Sequence, residues 1–158
     1  MLYPEIVIAG CGNPLFADDG FGPAVAEKLK KIPLPENVKA VDAGIGGTYH
    51  IFTLLDPETT KKLIIVETTD FGAEPGSITQ LRASDLPSGC YCDAFAWDIA
   101  EPLQQIKERI DILIVGCQPK RISYPEVEIG LSDEVLEAVP RAVRILLDTL
   151  GTARDAPL

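Results

Sequence analysis

The sequence predicts an α/β fold: a three-layer sandwich with a mostly parallel, twisted sheet of about five strands and helices on both faces. Three observations carry that reading. The runs Leu63-Ile64-Ile65-Val66 and Ile112-Leu113-Ile114-Val115 are wholly apolar, as strands buried on both faces of a parallel sheet are. Strand-like runs alternate with segments of helical period, of which Phe21, Val25, Leu29 and Ile32 form the first. Glycines cluster directly after strand-like runs, at Gly10 and Gly12 and again at Gly44, Gly46 and Gly47, where turns between strand and helix belong.

The elements follow in order. Ile6-Val7-Ile8-Ala9 is the first strand, and Pro33 and Pro35 end the helix that begins near Phe21. Val38–Val41 is a short strand closed by Asp42 and the second glycine cluster. Thr48–Leu55 reads as a helix with Ile51, Leu54 and Leu55 as its apolar stripe. After the strand at 63–66, Asp70–Gly76 is rich in turn residues, and Ser77–Arg82 is an edge strand, antiparallel to the rest. Residues 83–97 are the least regular and are expected to form a loop over the site, followed by a helix over Ile99–Ile110. In the last helix Ser132 is the expected cap, with Asp133 and Glu134 complementing the dipole. Val135, Val139, Val143, Leu146, Leu147 and Leu150 face the core, and Pro140 should kink the helix. Gly151 ends it, leaving 152–158 as a flexible tail.

At 158 residues the chain is expected to form a single domain over 1–158. With 24 acidic against 14 basic residues the net charge is −10. Such a chain is a poor candidate for binding nucleic acid or an anionic membrane, both of which need clustered Lys and Arg. It suits a metal ion or a basic peptide. No apolar run approaches the length of a membrane span and no basic region precedes an apolar one at the N-terminus, so a cytoplasmic location is expected. Cys11 and Cys117 sit at the ends of apolar runs and read as small packing residues. Cys90-Tyr91-Cys92 lacks a second cysteine pair to complete a zinc site.

The chain is organised around Gly10-Cys11-Gly12-Asn13-Pro14-Leu15-Phe16-Ala17-Asp18-Asp19-Gly20-Phe21-Gly22. A strand, a glycine-rich turn and a helix suggest a dinucleotide fingerprint, yet Leu15 stands where the third glycine would be. Asp18 and Asp19 add negative charge where a pyrophosphate would sit against the helix N-terminus. One of the two could serve as an N-cap, but two exceed what a cap requires. Asp42 falls near the end of the second strand and Glu67 at the end of the third. In open parallel sheets, ligands bind beyond those strand ends. Three carboxylates at one edge of the sheet are therefore candidates for a functional constellation. Asp19 or Asp42 could act as general base toward a water, and no Ser–His or Cys–His pair points to a covalent route.

That opening motif closely resembles the one that begins the hydrogenase maturation endopeptidases. The resemblance continues through Asp42 and its glycine turn, Asp70-Phe71-Gly72…Glu74-Pro75-Gly76 and Gly130-Leu131-Ser132, and spans residues 5 to about 150. It is strongest toward the branch that serves the coenzyme F420-reducing hydrogenase of methanogenic archaea, through Asp18–Pro23, Asp93-Ala94-Phe95-Ala96-Trp97 and Glu101-Pro102-Leu103. The resemblance implies an endopeptidase that removes a C-terminal extension from the large-subunit precursor of a nickel–iron hydrogenase after nickel insertion. It implies no organic cofactor; the nickel is carried by the substrate, and another divalent cation such as cadmium or zinc can mimic it. In the family that cation is held by three groups, which map to Asp19, to Glu67 in place of an Asp, and to a histidine whose position here is Phe95. Phe cannot coordinate a metal, and His50, Asp93 and Asp98 are the possible substitutes. Two carboxylates without an imidazole favour harder, oxygen-preferring ions. The missing histidine also leaves open a maturation chaperone that binds the large subunit without cutting. The third reading is a flavodoxin-like nucleotide or flavin binder, against which Leu15 and the acidic pair stand.

Overall fold

The computed structural model describes residues 3–44, 47–82 and 109–151. Its sheet has five strands: β1 (Ile6–Cys11), β2 (Val38–Gly44), β3 (Lys62–Thr68), β4 (Ile78–Arg82) and β5 (Asp111–Cys117). They lie in the order β2-β1-β3-β5-β4, every neighbour pair parallel except β4 with β5. The expected antiparallel edge strand is thus β4. The two all-apolar runs became β3 and β5, the sheet's most buried strands.

Helices cover both faces. On one, α1 (Phe21–Lys30) and α3 (Asp133–Thr149) place Phe21, Val25, Leu29, Val135, Val139, Val143, Leu146 and Leu147 against Ile8, Ile64, Val66, Leu113 and Val115. On the other, α2 (Gly47–Thr53) sets Ile51 against Val7, Ala9, Cys11, Val41, Ala43, Leu63 and Ile65. Alternate residues of one strand therefore serve different cores, which is the period-two geometry of a pleated strand. Each fully buried Leu, Ile or Phe contributes about 2 kcal/mol of transfer free energy.

Several expected boundaries move. The first helix stops at Lys30, before Ile32, and β2 runs on through Asp42 to Gly44. α2 ends at Thr53, so Leu54 and Leu55 lie beyond it while still packing on the second core. Asp56 explains that end. It precedes Pro57, which disfavours helix, and its carboxylate accepts the Glu58 N–H and the Thr59 hydroxyl in a tight turn. The expected kink at Pro140 does not interrupt α3, which runs unbroken through it. Ser132 occupies the N-cap position but makes no side-chain cap bond. Its hydroxyl is used elsewhere, as shown below. The loop over 83–97, all but the last two residues of the helix expected over 99–110, and the 152–158 tail lie outside the described residues. Among the described residues no helix is long and apolar enough to cross a membrane.

The sheet order is what places a site. β1 leaves neighbours on both sides, β2 and β3, so chain connections diverge at its carboxyl end and open a crevice there. α1 enters this region at very close range. A Cβ on Gly22 would overlap the carbonyl oxygens of Cys11 and Val66, and one on Gly10 would overlap the Gly22 carbonyl. The first turn of α1 therefore rests directly on the backbone of β1 and β3.

Gly22→Ala is expected to lower stability by about 3 kcal/mol in urea unfolding, because backbone atoms cannot give way as a side chain can. Gly72→Ala, with φ +72° but nothing within 4 Å of the added methyl, is expected to cost only about 1 kcal/mol.

Candidate functional site

The turn after β1 is shaped by its own polar groups. Asn13 Oδ1 accepts the Leu15 N–H at 3.0 Å, and Gly12 adopts φ +132° where a Cβ would overlap the Asp19 carbonyl. Ala17 follows with φ 54° and ψ −120°, a conformation disfavoured for any residue with a side chain and found at sites whose surroundings over-determine the backbone. Here the surroundings are hydrogen bonds: Ala17 N–H donates to the Glu128 carbonyl and Asp18 N–H to the Arg121 carbonyl. Asp18-Asp19-Gly20 then form a single 3₁₀ turn leading into α1.

Asp18 is fully buried, and it is not the cap of α1. The N-cap is Gly20, with no side-chain bond. The Asp18 carboxylate instead receives the backbone N–H groups of Lys120 and Arg121 at 2.9 Å each, and the N–H and hydroxyl of Ser132 at 2.7 and 2.9 Å. Four donors fill the roughly four acceptor sites of a carboxylate. This is where the Ser132 hydroxyl is spent. Asp18 joins the opening turn to the segment after β5 and to the start of α3.

Asp19 points the other way. Its Oδ2 accepts the Asn13 N–H at 2.9 Å and its Oδ1 the Thr68 hydroxyl at 3.3 Å. It is half-buried and held over the carboxyl ends of β1 and β3. Glu67 is the penultimate residue of β3 and only 9% exposed. By strand alternation it shares the face of Leu63 and Ile65, the α2 face. Asp42, level with Gly10 of β1, alternates with Val41 and Ala43 and so leaves β2 on the opposite, α1 face. It is exposed, its Oδ1 accepts the Gly44 N–H at 2.9 Å, and it lines a groove beside α1.

The three carboxylates nonetheless share one end of the sheet with the buried thiol of Cys11, the last residue of β1. Burial pushes that thiol's pKa up most strongly, and Glu67, Asp42 and Asp19 each push it further. The Cys117 thiol is raised from 9.0 to about 11, again chiefly by burial, with Arg141 opposing and Asp18 assisting. Both cysteines are buried and free, in keeping with a packing role. His50 is exposed one turn into α2. Among the described residues no three of His, Cys, Asp and Glu are grouped so as to hold a metal ion. Phe95, Asp93, Asp98, Cys90 and Cys92 lie outside the described residues.

Sequence reasoning missed three contributors. Asp18 was weighed only as a cap or as half of an acidic pair. Thr68, whose signal was its place directly after Glu67, orients Asp19. Gln118, the first polar residue after the buried run of β5, is itself buried. Its Oε1 accepts the N–H groups of Phe71 and Ala73 at 2.9 and 3.2 Å, and its Nε2 donates to Asp70 Oδ1 at 3.1 Å. That network holds the 70–76 loop over the same edge of the sheet.

Comparison with known proteins bears on what this arrangement serves. The family model for hydrogenase maturation protease matches residues 23–149. The coenzyme F420 hydrogenase subunit delta of Methanothermobacter thermautotrophicus is 42% identical over 154 residues, covering 95% of this chain and 97% of that protein. The structure of the Escherichia coli hydrogenase maturating endopeptidase superposes with a TM-score of 0.80 at 23% identity, covering 96% of both chains; that likeness is one of fold. A hydrogenase 2 maturation peptidase from a Thaumarchaeota archaeon gives a TM-score of 0.70 at 26% identity, covering 94% of this chain and 99% of that one.

Two outcomes follow from the geometry. Asp18→Ala removes the acceptor of four hydrogen bonds and should lower stability by about 3 kcal/mol, read as the shift of the urea midpoint, whereas Asp18→Asn, which keeps one acceptor oxygen, should lose roughly half of that. Because the thiolate is the nucleophile, Cys11 and Cys117 should resist iodoacetamide at pH 8 in the folded protein and react after unfolding. Peptide mapping by mass spectrometry checks this; fast native labelling of either would contradict the burial.

Proposed function

This chain belongs to the hydrogenase maturation protease family, and from that premise we propose that it is an endopeptidase acting on a nickel–iron hydrogenase large-subunit precursor. It removes the C-terminal extension after nickel insertion, and the partner is the coenzyme F420-reducing hydrogenase. The 42% identity to a protein named as a subunit of that enzyme supports the choice of partner. The observation that carries the reading is the position of Asp42 and Glu67 near the carboxyl ends of β2 and β3, with Asp19 held over the ends of β1 and β3 by Asn13 and Thr68, at the crevice where β1 parts from its two neighbours.

The roles we assign are these. Asp19 and Glu67 flank the β1–β3 boundary, and their oxygens engage the nickel that the substrate brings. Asp42, exposed on the α1 side, acts as general base: it takes a proton from water, and the hydroxide oxygen adds to the scissile carbonyl carbon. As the C–N bond breaks, that proton passes to the departing amine. Asp18 has no acceptor site left for either task and serves as the clamp. The 70–76 loop is held at the same end of the sheet by Gln118, which follows β5.

The test is a processing assay with nickel-loaded and nickel-free precursor, read by intact mass. Cutting of the loaded precursor alone is expected. Asp19→Asn combined with Glu67→Gln should reduce the rate by about a hundredfold or more, and Asp42→Asn by a similar factor. Full activity in the Asp19/Glu67 double variant would sink the assignment of those two. Binding without cutting by the wild-type protein would make it a chaperone instead.

A further inference from the structure

Beside the crevice lies a groove of about 400 Å³ between the opening turn, α1 and the 129–131 segment. Its size falls at the low end of ligand pockets, which run from about 300 to 1,000 Å³. Pro14, Pro23, Ala24 and Leu131 make apolar walls, and Ile129, 78% exposed, stands beside them. Among the described residues, the titratable ones that line it are Glu27 and Asp42, both carboxylates, and no described lysine or arginine lines it. Glu27 does pair with Lys30 at 3.1 Å, but both side chains are well exposed. Such a pair is weak and screened by solvent, so it cancels little of the charge that Glu27 offers.

Apolar walls ending in carboxylates match a side chain with an apolar stem and a cationic head. Lysine and arginine are built that way: their methylene stems bury along apolar surface while the head stays at the polar rim. We propose that this groove is a side-chain subsite for a peptide substrate, taking a lysine or arginine whose head meets Glu27 and Asp42. The proposal rests on the protease reading above and extends it. Asp42 belongs both to the groove and to the catalytic edge, so the side chain held there would be close in sequence to the bond that is cut. Glu27 then acts as a specificity residue, one helical turn or more from the chemistry.

The test reads binding apart from cleavage. ¹⁵N-labelled protein is titrated with acetyl-Gly-Leu-Arg-Gly-amide and with acetyl-Gly-Leu-Glu-Gly-amide, up to about 10 mM to register weak affinity. The arginine peptide should shift the amides of Gly20, Ala24, Glu27 and Leu131, and bind about tenfold more tightly than the glutamate peptide. Glu27→Lys should weaken the arginine peptide about tenfold, Lys30→Gln should leave it unchanged or tighter, and Ala24→Phe should abolish it by filling the groove. The same spectra report whether each variant is folded. Absence of shifts at those amides, equal affinity for the two peptides, or binding retained by folded Ala24→Phe would overturn the proposal. Processing of nickel-loaded precursor by the wild-type protein separates the two readings. Processing without the shifts removes only the groove, and the shifts without processing remove only the protease.

Discussion

A single buried carboxylate holds the working edge of this protein together. Asp18 gathers donors from residues 120, 121 and 132, more than a hundred positions away in sequence. The opening turn, the segment after β5 and the start of α3 are far apart in the chain, and their polar backbone groups meet at this carboxylate. An unpaired carboxylate there would be costly to bury, and the four N–H and O–H groups around it would lose their acceptor without it. Each requirement is met by the other. The disfavoured backbone at Ala17 is tolerable for the same reason, since the bonds on either side of it leave no other path for the chain.

That clamp divides the acidic pair into unlike halves. Adjacent residues in a 3₁₀ turn project in different directions, so with Asp18 turned toward residues 120 and 132, Asp19 is turned toward β3 and Thr68. The close contact of Gly22 with the β1 and β3 backbones sets how far the turn can move. Precision in a site built on loops comes from such fixed points. Here one is a carboxylate with its acceptor sites filled, and the other is a helix resting on bare backbone.

Much of this was legible in the chain because it follows from period and burial. The apolar runs of β3 and β5 could not be satisfied at a surface, and the Phe21–Val25–Leu29 spacing could face only one core. The edge strand β4 was legible from its turn residues. Ser132 was legible as a cap position but not in its use, because a hydroxyl's partner depends on what tertiary structure brings within reach. The paired carboxylates were visible, while the division between clamp and site was not: nothing local marks Asp18 as the one to be buried. The three acidic positions were rightly placed at one edge, yet the opposite faces taken by Asp42 and Glu67 depend on the register of β1 with its two neighbours, including the shift between Gly10 and Cys11.

The separation of faces matters for how the site can work. Carboxylates packed together on one side would repel one another, and some would take up protons. With Asp42 and Glu67 leaving the sheet on opposite faces, the acidic edge is divided between its two sides. The α2 side then presents Glu67, the α1 side presents Asp42 with an apolar groove, and Asp19, bonded to Thr68, stands over the ends of β1 and β3. A partner that brings a cation and a peptide together would meet the two on different faces of one sheet end. On the proposed reading the nickel arrives with the substrate and water is the nucleophile, so neither falls to the protein. What it must supply is the fixed distance between the two faces, and that distance is set by three hydrogen-bonded strands.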